Sequence, residues 1–336
     1  MRPIRMAAVL AALACTLPAA SAAAQSDILL RLRSGSPLGD RFRVDSASGF
    51  VAKGVLGIGI IPFTGAGERL MWHPYKAAFR AGSIGSAGTQ WDDPNVGFYT
   101  WAGGYNTIAL GLSSFAMGYQ STALGSYSNA LGYTANADGT GAVAIGYRTT
   151  ADADYSVAIG QRASTNGHAG AIVFSDGSTT DSTQASANNQ FTVRAAGGVR
   201  LFTNATMTVG VQVSAGGSSW AVISDRNRKQ DFLAVDGESI LARIRSLPVS
   251  TWRYRDEEDR STLHIGPMAQ DWHQAFGFTR DDQTINMSDF DGVNLAAIQA
   301  LTKRTEALQA ENAELRARLD RLEALLARAV PEAGKQ

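Results

Sequence analysis

The chain has 336 residues, 45% of them apolar, with 30 basic against 30 acidic side chains and 35 glycines. That length holds two or three domains, and the charge balance removes any global electrostatic case for nucleic acid, so only a local basic patch is left to make one. Glycine at roughly a tenth of the chain, against an average near 7%, points to many tight backbone turns rather than one large helical domain.

The first 24 residues carry the pattern of an export signal. Met1-Arg2-Pro3-Ile4-Arg5 is a short basic start, Met6 to Leu17 is apolar, and Ala22-Ala23-Ala24 before Gln25 offers the small residues that signal peptidase requires. The apolar run is too short to span a bilayer. Cys15, the only cysteine, lies inside this segment, so a chain cut after Ala24 has no thiol for a disulfide or for cysteine-ligated zinc. Acylation of Cys15 is the competing reading, but Ala12 stands where lipoprotein signals favour leucine.

Residues 25–103 are expected to be β-rich. Ile28-Leu29-Leu30-Arg31-Leu32-Arg33 and Phe42-Arg43-Val44 alternate apolar and polar side chains between Gly-Ser and Gly-Asp punctuation. Leu70 to Arg80 is richer in aromatic residues, and its His73 reads as a structural histidine in a packed connector.

A repeat follows. Ala-apolar-Gly recurs at Ala109-Leu110-Gly111, Ala116-Met117-Gly118, Ala123-Leu124-Gly125, Ala130-Leu131-Gly132, Ala144-Ile145-Gly146 and Ala158-Ile159-Gly160. The steps are seven or fourteen residues, and the skipped registers keep Ala137-Asp138-Gly139 and Ala151-Asp152-Ala153. A helical coiled coil is excluded because a glycine in each unit costs a helix up to about 1 kcal/mol. The apolar residues fall at i and i+2 instead, as in Val143 with Ile145 and Val157 with Ile159. The pattern predicts a β-solenoid of fourteen-residue coils, each made of two strand-turn units whose turn glycine takes positive φ. The larger apolar residues are expected to point inward and the alanines outward, so that an alanine-lined face packs against further copies of the chain.

Asn106-Thr107-Ile108-Ala109-Leu110-Gly111 and Ser156-Val157-Ala158-Ile159-Gly160 resemble the head repeats of trimeric autotransporter (YadA-like) adhesins over residues 104–174. The resemblance implies left-handed parallel β-rolls assembled as a homotrimer, with a host or cell-surface ligand for the head. The last third predicts a charged helix in place of the alternating ten-residue strands of an anchoring barrel.

Residues 175–222 read as a β connector. An exposed polar loop runs from Ser175 to Asn189, strands flank Gly197-Gly198, another strand covers Met207 to Val213, and a Gly-Ser stretch leads to Trp220. Directly after it comes Ser224-Asp225-Arg226-Asn227-Arg228-Lys229, where a hydroxyl and an amine five residues apart form the minimum kit of a Ser-Lys hydrolase. The alternative is that Ser224-Asp225 caps a helix with a basic, solvated face.

Three features in order, namely this segment, Ile265-Gly266-Pro267-Met268-Ala269-Gln270-Asp271 and Gly292-Val293-Asn294-Leu295-Ala296-Ala297-Ile298, resemble peptidase family S74. That family comprises the intramolecular chaperones of endosialidases and phage tail spikes. The resemblance implies an α+β chaperone domain over residues 223–300 that trimerises the chain, helps the β-rich part fold, and releases itself by cutting Ile223-Ser224. Ser224 is then the nucleophile, Lys229 the base, and Asp225, Gly266 and Gln270 supporting motif residues, while Arg228 stands where family members often carry leucine. No cofactor or metal is expected.

Lysine accepts a proton at neutral pH only when burial or neighbouring cations favour its neutral form. Arg226 and Arg228 act in that direction and Asp225 and Asp231 against it, which leaves the balance open. His264 reads as a core strand residue, and the alternation of Trp252 and Tyr254 with Arg253 and Arg255 as sheet packing rather than a nucleic-acid site. Residues 298–330 predict a parallel coiled coil. Ile298, Thr305, Asn312, Leu319 and Leu326 share one heptad position, and Leu301, Leu308, Leu315, Leu322 and Ala329 the other. These residues leave the number of strands open; three follows from the resemblances.

Two functional classes remain: a secreted trimeric fibre with a self-cleaving chaperone, and a non-enzymatic surface adhesin whose trimerisation domain stays attached. A glycan-cleaving spike has no acidic pair in the repeats to support it.

Overall fold

The computed structural model describes residues 28–34, 39–46, 49–257, 261–278 and 280–329, so the predicted signal segment and Cys15 lie outside the described residues. The chain divides into two compact units that part near Val199.

In the first unit, β1 (Ile28–Ser34), β2 (Gly39–Asp45) and β3 (Gly49–Ala52) form a small antiparallel sheet. After an apolar loop, β4 (Gly67–His73) and β5 (Ala78–Ile84) make a hairpin, and β5 then pairs in parallel with β6 (Trp101–Tyr105). From there the chain winds in coils. β7 (Ile108–Ala109), β9 (Thr122–Ala123), β11 (Asn136–Ala137), β13 (Thr150–Ala151), β15 (Ala163–Ser164) and β17 (Thr183–Gln184) stack in one parallel sheet. The strands β8 (Phe115–Tyr119), β10 (Asn129–Tyr133), β12 (Val143–Tyr147), β14 (Val157–Gln161), β16 (Ile172–Ser175) and β18 (Phe191–Arg194) continue the other sheet. Ala102, Ala116, Ala130, Ala144 and Ala158 stand in register, one fourteen-residue coil apart. This is the expected β-solenoid, and its parallel stacking extends past the repeats to Arg194.

Inside and outside are the reverse of the sequence expectation. The alanines of both columns, from Ala102 and Ala109 to Ala158 and Ala163, are fully buried and form the core, joined by buried Thr107, Ser121, Ser128, Thr149 and Ser156. The cause is geometric. Fourteen residues give roughly 46 Å of chain even when extended, and corners take part of it, so the two facing strands stand too close for leucine-sized side chains between them. The larger apolar residues are displaced outward. Trp101, Met117, Ile172, Phe174, Phe191 and Val193 are exposed on the outer face of the large sheet, with half-buried Leu131, Ile145 and Ile159 in register among them.

The turns differ from expectation in part: the motif glycines Gly118, Gly132, Gly146 and Gly160 take positive φ, but they lie within strands rather than in the turns. A left-handed residue recurs every seven positions, and it is Asn106, Ser113, Gln120, Tyr127, Thr134, Arg148, Tyr155 or Arg162, with glycine only at Gly141. Each such residue costs of order 1 kcal/mol. Its N–H offsets part of that by donating to the coil before it, as Gln120 does to the Tyr105 carbonyl at 2.7 Å and Arg148 to Tyr133 at 2.8 Å. The motif glycines serve close approach. At Gly132, with φ +133°, a Cβ would lie 2.0 Å from the Gly146 carbonyl oxygen of the next coil.

Each end of the solenoid is closed by an arginine. At the N-terminal end Arg80 occupies the alanine column opposite Ala102, fully buried, and donates to the carbonyls of Phe79, Thr100 and Ala109. Burial lowers its pKa to about 10. At the other end Arg194 Nε donates to Asp176 Oδ1 at 3.0 Å, and Asp176 also accepts from the Ala196 and Ser178 backbones. These bonds, that from Ala196 first, hold the Asp176 carboxyl well below the usual carboxylate range. Its contribution to stability is therefore present above the unfolded pKa of about 4 and disappears as pH falls through the lower folded value. In urea titrations, the gap between the parent chain and Asp176→Asn is expected to be open at neutral pH and to shrink steadily below about pH 4. A gap independent of pH would show that the carboxylate's charge is not what closes this end.

In the second unit, β19 (Gly198–Phe202), β20 (Gly210–Ser214) and β21 (Ala221–Val222) form a sheet that delivers the chain to Ile223. The two strands around Gly197-Gly198 exist as expected, but they join different sheets instead of pairing as a hairpin. The helix α1 (Gly237–Ser246) starts at Asp236, whose side chain accepts from Glu238 N. β22 (Ser250–Trp252) pairs antiparallel with β23 (His264–Gly266), and α2 (Ala269–Phe276) ends at left-handed Gly277. α3 (Met287–Ala329) is one helix of 43 residues. Its first turns bury Val293, Ala297 and Ala300 and contribute to a core with Ile240, Trp272 and Phe276. Arg304 is ion-paired with Glu238. Beyond that point the heptad leucines Leu308, Leu315, Leu322 and Leu326 are exposed, as are Ile298 and Leu301 before it.

Candidate functional site

The chain leaves β21 at Val222, and Ile223 N still donates to the Gly210 carbonyl at 3.1 Å, which fixes where the next residues begin. Asp225 then caps a single 3-10 turn, Arg226–Arg228, accepting from Asn227 N at 2.9 Å and from Asn227 Nδ2 at 3.2 Å. The turn closes with Arg228 N on the Asp225 carbonyl and Lys229 N on the Arg226 carbonyl. This reversal carries Lys229 back to the start of the segment. Lys229 Nζ donates to Ser224 Oγ at 2.6 Å.

The capping reading of Asp225 is realised on a 3-10 turn, and Ser224 and Lys229 are in hydrogen-bond contact. Asp225 is a cap, and the capped turn is what brings the amine to the hydroxyl. Sequence reasoning did not single out Asn227, although an Asp followed two residues later by Asn is a recognisable side-chain-closed turn. Arg228 pairs with Asp225, Nε to Oδ2 at 3.6 Å, and so supports the same turn from outside. Arg226 lies over the Phe232 ring at 5.3 Å. Ser224 and Lys229 are exposed in the single chain.

Gly266 and Gln270 are not at this site. Gly266 ends β23 and Gln270 is in the first turn of α2, where they line a cavity of about 660 Å³ with Trp252, Ile265, Met268 and Phe290. Ser224 and Lys229 are not among its lining residues. His264 stands in β23 as expected, stacked on Trp252 at 4.7 Å with Nε2 3.2 Å from Glu257 Oε1. No group of three or more metal-ligating side chains occurs among the described residues, and no described helix is long and apolar enough to cross a membrane.

Two known families match segments of the chain. Residues 224–279 match the Peptidase_S74 family, described as chaperone of endosialidase, and the match begins at Ser224. The YadA head domain repeat matches over residues 102–128, 111–135, 127–149 and 137–163, all within the solenoid. No curated protein matches the chain, and no solved structure does. The chain therefore carries YadA-like head repeats in a mainly β fold with a solenoid over residues 101–175, followed by a segment similar to the endosialidase chaperone and a C-terminal helix.

Proposed function

We propose that this is a secreted, homotrimeric, fibre-like protein whose C-terminal part trimerises the chain, assists folding of the solenoid head and then cuts itself off before Ser224. The observation that carries the reading is the 2.6 Å contact between Lys229 Nζ and Ser224 Oγ, at the first residue of the S74 match. In the reaction Ser224 Oγ adds to the Ile223 carbonyl carbon as its proton passes to Lys229 Nζ. The C–N bond breaks, that proton goes to the leaving nitrogen, and water hydrolyses the resulting ester to an Ile223 carboxylate and a free Ser224 amine.

An amine works as a base when water is removed from it or cations stand beside it. In this reading closure of three copies around the exposed dyad supplies the desolvation. Support for self-association comes from the outward apolar residues of the large sheet and from the exposed heptad leucines of α3. In this reading residues 1–24 direct export, 25–103 precede the head of 104–174, 175–222 connect, 223–300 are the chaperone and 298–330 a parallel coiled coil. The head presents its surface to a host or cell-surface ligand.

The test is a denaturing gel of the mature chain beside Ser224→Ala. Two fragments from the first and one intact band from the second are expected. Intact bands from both would leave the rival, an adhesin that keeps its trimerisation domain.

A further inference from the structure

A different part of the first unit carries a function of its own. Residues 54–67, Gly-Val-Leu-Gly-Ile-Gly-Ile-Ile-Pro-Phe-Thr-Gly-Ala-Gly, contain no charged side chain. A soluble loop between strands is ordinarily polar, whereas this one displays its apolar residues. Ile60 is 84% exposed, Ile58 65% and Phe63 57%, with Val55 and Leu56 also exposed. It is nevertheless a built loop. Ile58 N donates to the Val55 carbonyl at 3.1 Å, and Gly57 and Gly59 take φ +75° and +105°. Its two ends are pinned, by Gly57 N on the Tyr75 carbonyl at 2.9 Å and Gly65 N on Asp92 Oδ1 at 2.6 Å.

The sheet just before the loop has two faces. The register places Leu32, Phe42, Val44 and Phe50 on one, with the Phe42 and Phe50 rings 6.2 Å apart and Phe50 itself 69% exposed. Arg31, Arg41 and Arg43 fall on the other, Arg31 directly opposite Arg43. Asp45 shares that face, and Arg43 Nε donates to its Oδ1 at 2.7 Å. In a chain of zero net charge, residues 28–53 hold five basic side chains, Arg31, Arg33, Arg41, Arg43 and Lys53, against two acidic ones, Asp40 and Asp45.

We propose that this sheet and loop bind the surface of a bilayer that contains anionic phospholipid. The exposed side chains of the uncharged tip, Ile58, Ile60 and Phe63, enter the boundary between headgroups and acyl chains, and the arginines stay at headgroup level, their stems lying along apolar surface. Charge decides against a second copy of the chain as the occupant. Bringing basic sheets together at a symmetry axis repels, whereas a negative surface attracts them. The proposal is independent of the Ser224-Lys229 chemistry.

The test sediments the mature chain with sucrose-loaded vesicles of phosphatidylcholine alone and of phosphatidylcholine mixed with phosphatidylglycerol. Binding to the mixed vesicles is expected to be about tenfold tighter or more, to weaken as salt is raised, and to fall at least about tenfold in the Ile58→Asp, Ile60→Asp variant. An Ile60→Trp chain should show blue-shifted emission that brominated phospholipid quenches, a readout that holds even if the double variant misfolds. Absence of binding, equal binding to both vesicles, or an Ile60→Trp emission unaffected by brominated lipid would overturn the proposal. So would a double variant that changes the oligomeric state while binding vesicles as before, because the loop would then belong between copies.

Discussion

Replacing Gly132 with alanine is expected to lower the stability of the solenoid by about 3 kcal/mol or more. Two costs combine. The backbone there has φ +133°, which an L side chain adopts only under strain of about 1–3 kcal/mol. The new Cβ would also meet the Gly146 carbonyl oxygen at 2.0 Å and its carbonyl carbon at 2.9 Å, and both belong to backbone that is itself locked against Gly160. Overpacking of this kind adds about 1–3 kcal/mol. The coils cannot spread to make room without breaking the parallel ladder from β8 to β14. Gly197→Ala is the control, since a Cβ there meets nothing within 4 Å. Urea unfolding followed by circular dichroism, at one protein concentration for all variants, should show a large shift for Gly132→Ala and one within about 0.5 kcal/mol for Gly197→Ala. Equal shifts would mean that coil spacing is not what these glycines protect.

The second large effect is on cleavage. Lys229→Met keeps the unbranched stem, one atom shorter, but removes the amine that contacts Ser224, and loss of a general base slows such reactions by about 10²–10⁴-fold. Asp225→Ala removes the cap of the 3-10 turn, and Asn227 loses both of its bonds to that carboxylate. The dyad stays in the chain but is no longer held, so a smaller loss, about tenfold, is expected from misplacement alone. Quantified gel bands over time after refolding separate the two. A Lys229→Met chain that cuts at the parent rate would remove Lys229 from the chemistry.

Much of this architecture was legible because the repeats are tandem. Ala-x-Gly at steps of seven fixes the coil length, and even the weakened units at Ala137 and Ala151 fall where the ladder places them. What alternation does not reveal is which face is inside. Val143 and Ile145 share one face and Ala144 takes the other, and hydrophobicity alone assigns the larger pair to the core. Coil width reverses that assignment, because only alanine, serine and threonine fit between strands so close together. The hairpin of β4 and β5 was hidden for a related reason. Buried Met71 and His73 alternate with outward Leu70 and Trp72, a strand pattern masked by aromatic composition. At the site, spacing made Ser224 and Lys229 visible as a pair. Their contact depends on Asn227 closing a turn on Asp225, and the separation of Gly266 and Gln270 from that turn depends on tertiary packing that no local pattern records.

The most direct test of the central claim is intact mass spectrometry of the purified mature protein under denaturing conditions. Two species are predicted, one ending at Ile223 and one beginning at Ser224, with the sum of their masses exceeding the uncut chain by one water. A single species with the mass of the uncut chain would contradict it.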